Sequence, residues 1–152
     1  MRKIFLFSML GFFLFGFSFA QQSPSRHALG IGGGVVFLSD DSVLKPGLHF
    51  DYEYDLLAEK IDLSIGFASE LVMADRRHIG LSVFLGFSPL KRLSVNLGPG
   101  VMFEGPETYF CSHVGIGYNW DFSNFSIGPY AEWAYTGKHY HLSFGMGLGY
   151  KF

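Results

Sequence analysis

The side chains able to do chemistry fall into two groups. Near the C-terminus, Ser143 follows His141 by two residues, and a hairpin turning at Thr136 to His139 would bring Glu132 close to Ser143. A hydroxyl, an imidazole and a carboxylate are the parts of a nucleophile, a general base and an orienting acid. The second group is broader: His49, Asp51, Glu53, Asp55, Asp62, Glu70, Glu104, His113, Glu132, His141 and Lys151, with Asn96 and Asn119. Seven carboxylates there face a single lysine and three histidines. Such a set is either a narrow cation-favouring path, because rings of carboxylates attract cations, or a polar filling. A filling needs water, protonation or histidine pairing to compensate its charge. Metal chemistry is not expected: His139 and His141 are the nearest histidine pair, and they are assigned to opposite faces of a strand. No cofactor is implied either, since Gly30, Gly32, Gly33 and Gly34 do not complete a dinucleotide fingerprint. Cys111, the lone cysteine, is expected to be inert and excludes a disulfide scaffold.

The elements that must position these residues show first in the composition. The 152 residues are 49% hydrophobic, 18% aromatic and only 16% charged. So little charge argues against a disordered chain, and the small net charge of −2 implies no nucleic-acid partner. Residues 1–20 have a basic start at Arg2 and Lys3, an apolar stretch from Ile4 to Phe17, and small residues at Ser18 and Ala20. That is the pattern of a cleavable signal peptide with its junction at Ala20 and Gln21. Residues 21–152 remain as one domain.

Within that domain the pattern has period two. Tyr140, Leu142, Phe144, Met146, Leu148, Tyr150 and Phe152 alternate with His141, Ser143, Gly145, Gly147, Gly149 and Lys151. Seven further stretches read the same way, beginning near Leu29, Leu48, Ile61, Ile79, Leu93, Phe110 and Phe125. One face of each strand is greasy and the other small or polar. Turn residues separate them at Ser39 to Ser42, Ala58 to Lys60, Asp75 to Arg77, Pro89 to Arg92, Gly105 to Glu107, Asp121 to Asn124, and Thr136 to Lys138. Short connections suit an up-and-down antiparallel meander.

Size decides which face is inside. An eight-stranded barrel has room within only for modest side chains, so the bulky face must point out and the Gly/Ser face in. The last strand, twelve steps long, would cover about 28 Å along the membrane normal at a tilt near 45°. Aromatics gather toward strand ends, with Tyr54, Phe87, Tyr118, Trp120, Phe122, Tyr150 and Phe152 at one rim. Phe37, Phe50, Phe103, Phe110, Trp133 and Tyr140 are expected at the other. The fold class is therefore all-β: an eight-stranded antiparallel up-and-down transmembrane β-barrel. A soluble lipocalin-like barrel is the competing arrangement.

The leader, the eight amphipathic strands and the ending Gly147-Leu148-Gly149-Tyr150-Lys151-Phe152 resemble the small, porin-like outer-membrane β-barrel proteins of Gram-negative bacteria. The resemblance implies an outer-membrane location, contact with outer-membrane lipid, and an assembly-machinery signal at Phe152. It also implies a monomer with both termini on the periplasmic side and the turns near Asp40, Asp75, Glu107 and Lys138 outside. The His141-x-Ser143 spacing is similar to that of the lipid A deacylase family, which implies a lipid-modifying enzyme. That family's acid follows its motif, whereas only glycine, apolar residues and Lys151 follow here. The expected role is thus structural or interactive and non-catalytic, with the cation pore and the lipid enzyme as alternatives.

Overall fold

Alternating β-branched or aromatic residues with glycine and serine fits a pleated surface and disfavours a helix, and the chain folds accordingly. The computed structural model describes residues 26–57, 63–74 and 77–152; the leader, its Ala20/Gln21 junction and Asp62 lie outside the described residues. The strand segments are β1 (His27–Leu38), β2 (Val43–Leu57), β3 (Leu63–Met73), β4 (Arg77–Leu90) and β5 (Leu93–Glu104). They continue as β6 (Glu107–Tyr118), β7 (Trp120–Phe122), β8 (Phe125–Tyr135) and β9 (Tyr140–Lys151). β6 and β7 are one stave, because both pair with β8 in a single register, Gly117 opposite Tyr130 and Trp120 opposite Ile127.

The interruption has a local cause. It lies opposite Gly128-Pro129, where proline has no N–H to give and Gly128 sits too close to the Tyr118 carbonyl for a Cβ. Gly98-Pro99 does the same on β5. There the β4 pairing lapses between Ser82 opposite Gly100 and Leu85 opposite Leu97.

Every pairing is antiparallel, and β1 closes the sheet on β9 from Ala28 opposite Lys151 to Leu38 opposite His141. The result is a closed eight-stranded barrel with no free edge. Its tight turns carry the residues such turns require. Gly105 (φ 57°) leads the two-residue loop between β5 and β6, at the position where a II′ turn needs a positive φ.

Parity holds around the wall. Leu29, Ile31, Val35, Phe144, Met146 and Leu148 face outward at 44–56% exposure, while their neighbours His141 and Ser143 face inward at 1% and 4%. Aromatic pairs mark both rims. Tyr118 with Trp120 and Tyr150 with Phe152 lie at the rim that carries the termini. Phe37 with Tyr140 and Trp133 with Tyr135 lie at the far rim. Phe50 departs from the girdle expected of it: β2 begins at Val43, so Phe50 sits in mid-wall opposite Ile31 and Ser69. The most buried apolar cluster, Val36, Leu38 and Val72, is inside the barrel near the far rim, with Val43 and Ala74 packed against it.

Candidate functional site

Because the outer face is apolar, any polar chemistry in the wall belongs to the lumen. A cavity of about 260 Å³ enters from the rim that carries the termini. Lys91, Arg92 and Lys151 stand at its mouth, Asp51, Glu53, Asp55 and Asn96 along its walls, and Tyr130, His49 and Glu132 at its inner end. Tyr130 fits because the seam between β1 and β9 is glycine. A Cβ at Gly32 or Gly145 would come within 2.8 Å and 2.7 Å of the Tyr130 ring. Phe84 lies over Gly66 in the same manner. The interior glycines are the beds of the few large inward side chains.

At the inner end of the cavity, Glu132 on β8 joins two other strands. Its Oε2 is 3.3 Å from His49 Nδ1 on β2 and 3.4 Å from His113 Nε2 on β6. Asp51 Oδ1 is 3.5 Å from the other nitrogen of His49. The Ser143 hydroxyl donates to Glu70, and the Ser64 hydroxyl donates to Glu53. Imidazoles thus reach Glu132 across the tube at ion-pair distance, while serine hydroxyls donate to Glu70 across the tube and to Glu53 from the neighbouring strand.

The same reach dismantles the nucleophile set. The register is as expected, with Glu132 opposite Ser143 and Ala134 opposite His141. Yet Ser143 donates to Glu70, Glu132 turns to His49 and His113, and His141 Nδ1 lies 3.3 Å from His78 Nε2. In so narrow a lumen these three side chains meet the opposite wall rather than one another.

Toward the far rim the lumen is filled. Met102, Val36, Leu38, Val72 and His141 are each no more than 3% exposed. Above them three imidazoles gather on one carboxylate oxygen, Glu104 Oε1: His139 Nε2 at 2.8 Å, His141 Nε2 at 3.5 Å and His78 Nε2 at 3.9 Å. The assignment of His139 and His141 to opposite faces is corrected by this arrangement. Residues two apart share a face of a strand, and their rings stack with centroids 5.2 Å apart. One ligand atom each from His78, Glu104 and His141 lies within 4.8 Å of the others, close enough to share a metal ion. His78 was missed by the sequence reading although parity holds its signal: it is two residues before inward-facing Gly80.

Phe152 closes the seam at the other end. Its N–H donates to the His27 carbonyl at 2.9 Å, and the two rings stack at 5.6 Å.

No family model and no curated protein matches the chain. Solved structures do. The attachment invasion locus protein Ail of Yersinia pestis superposes with a TM-score of 0.58 at 19% identity, over 84% of this chain and 97% of that one. Neisserial surface protein A gives 0.60 at 11%, over 84% and 98%. The N-terminal β-barrel domain of OprF from Pseudomonas aeruginosa gives 0.62 at 15%, over 84% and 99%. At these identities the likeness is one of fold, and the fold is that of the small outer-membrane barrels.

Proposed function

We propose that this chain is an integral outer-membrane barrel of a Gram-negative bacterium with a sealed lumen, serving a structural or interaction role in the envelope rather than a catalytic one. The rim with the termini is then periplasmic and the far rim is outside. The observation that carries this reading is the packed outer half, where Val36, Leu38, Val72, Met102 and His141 fill the space a conducting path would need. A shielded Ser143 whose hydroxyl is taken up by Glu70 supports the non-catalytic part. Short outer connections, such as Gly105-Pro106 and Thr136 to His139, leave no large receptor or adhesive surface among the described residues. Monomeric insertion, with Phe152 as the mark read by the assembly machinery, completes the proposal.

The cation path is the second reading, favoured by the acidic walls Asp51, Glu53 and Asp55 of the periplasmic cavity. Planar-bilayer recording separates the two. The wild-type protein should be silent, and Val36→Ser combined with Met102→Ser should produce small cation-selective steps by wetting the seal. Steps from the wild type would overturn the sealed reading.

A further inference from the structure

We propose that the outer rim holds a zinc site built from His78, Glu104 and His141, a transluminal staple between the β4–β5 pair and the β8–β9 hairpin. The first observation is convergence. One ligand atom each from His78, Glu104 and His141 lies within 4.8 Å of the others, and the Nε2 atoms of His78 and His141 stand 3.9 Å and 3.5 Å from Glu104 Oε1. A divalent cation seated among them would take a lone pair from each ring and one from the carboxylate. His139, whose Nε2 is 2.8 Å from the same oxygen, orients the carboxylate by a hydrogen bond.

The second observation concerns hydrogen bonding. His141 Nε2 is buried without a hydrogen-bond partner, on a residue only 1% exposed. A buried polar atom left so is costly, and it points into the cluster.

The spacing and the donor set both suit zinc. Bonds of about 2.0–2.1 Å in a tetrahedral site put neighbouring ligand atoms about 3.4 Å apart. The His141 and His78 contacts with Glu104, at 3.5 Å and 3.9 Å, are close to that edge. Two imidazoles and one carboxylate favour a borderline ion such as zinc over the oxygen-seeking magnesium or calcium. Three protein ligands leave the fourth tetrahedral position to a water molecule.

The ligands are also held in advance. His78 and Glu104 are cross-strand partners in the β4–β5 register. The hairpin that carries His139 is pinned by Thr136, whose N–H and hydroxyl both donate to the His139 carbonyl at 3.0 Å. Tyr109 meets the His139 ring edge-on at 5.4 Å. The site spans the mouth above the apolar plug, where a staple would tie the β4–β5 pair to β9, with which neither strand has backbone pairing.

The test uses the untagged full-length protein folded into phosphatidylcholine vesicles, stripped with chelator, reloaded with zinc chloride and freed of excess by gel filtration. Elemental analysis should find zinc equimolar with protein, and cobalt in its place should give the intense visible bands of a tetrahedral ion. His141→Ala and His78→Ala should each lower retained zinc at least tenfold, while His49→Ala and His113→Ala retain it. If His141→Ala fails to fold, His78→Ala at the start of β4 carries the test. Zinc should also raise the temperature of the gel-mobility shift in the wild type and not in His78→Ala. Zinc retained no better than by a His78→Ala/His141→Ala double variant, or lost with a folded His49→Ala, would overturn the proposal.

Discussion

The two halves of the lumen are lined by the same strands under the same parity, yet one encloses a polar cavity and the other is packed. The half near the termini encloses about 260 Å³ among Asp51, Glu53, Asp55, Asn96 and Lys151. The far half presents Val36, Leu38, Val72 and Met102, packed to 3% exposure or less. Strand membership cannot account for this, since every stave runs through both halves, and the register shifts at Asp55/Leu57 and Phe87/Leu90 lie toward the rim that carries the termini. Side-chain volume does. Glycines near the termini leave room for water, while valine, leucine and methionine near the far rim use it up. Glu132 with His49 and His113 sits where the two halves meet, with the cavity on one side and the packed half on the other.

The most disruptive way to break the comparison is Met102→Asp, which puts a second carboxylate beside Glu70 in the packed half, opposite Gly80 and Tyr109. An unpaired buried charge costs several kcal/mol, so the folded, heat-modifiable band should be lost on dilution into vesicles. Wild-type folding of this variant would mean the far half is hydrated. Next in size is Glu132→Ala at the boundary. Stranding His49 and His113 should cost about 3 kcal/mol by urea unfolding in vesicles. A loss below about 1 kcal/mol would show that cavity water reaches both rings and extends the cavity half past Glu132. Smallest is Asn96→Asp in the cavity half, expected within about 0.5 kcal/mol of wild type by the same measurement. A large loss there would erase the contrast from the other side.

Most of the wall was legible along the chain. The alternation from Tyr140 to Phe152 assigns inward and outward residues of β9 without error, and the turn at Ser39 to Ser42 falls where it was expected. The weak, glycine-rich stretch from Leu29 to Phe37 was harder to read because its inward residues have no side chain to show a pattern. It became the closing seam, Gly30, Gly32 and Gly34 facing Gly149, Gly147 and Gly145 of β9. The candidate site was half legible. Parity put Glu132, His141 and Ser143 in the lumen, but partners across a tube are separated by dozens of residues and leave no spacing signal. Glu70 lies 73 residues before Ser143, and His78 lies 63 before His141.

The sequence by itself determined the period, hence strands, hence a face for nearly every side chain, because a strand alternates its side chains whatever surrounds it. It also determined that the bulky face must be the outer one, since an eight-stranded barrel has no space for it within. Only the tertiary structure decided which inward residues meet. Closure of β1 on β9 and the stagger of the strands fix which levels of opposite walls coincide. That stagger brought Glu132 to His49 and His113, separated His141 from Ser143's hydroxyl, and gathered three imidazoles around Glu104 at the far rim.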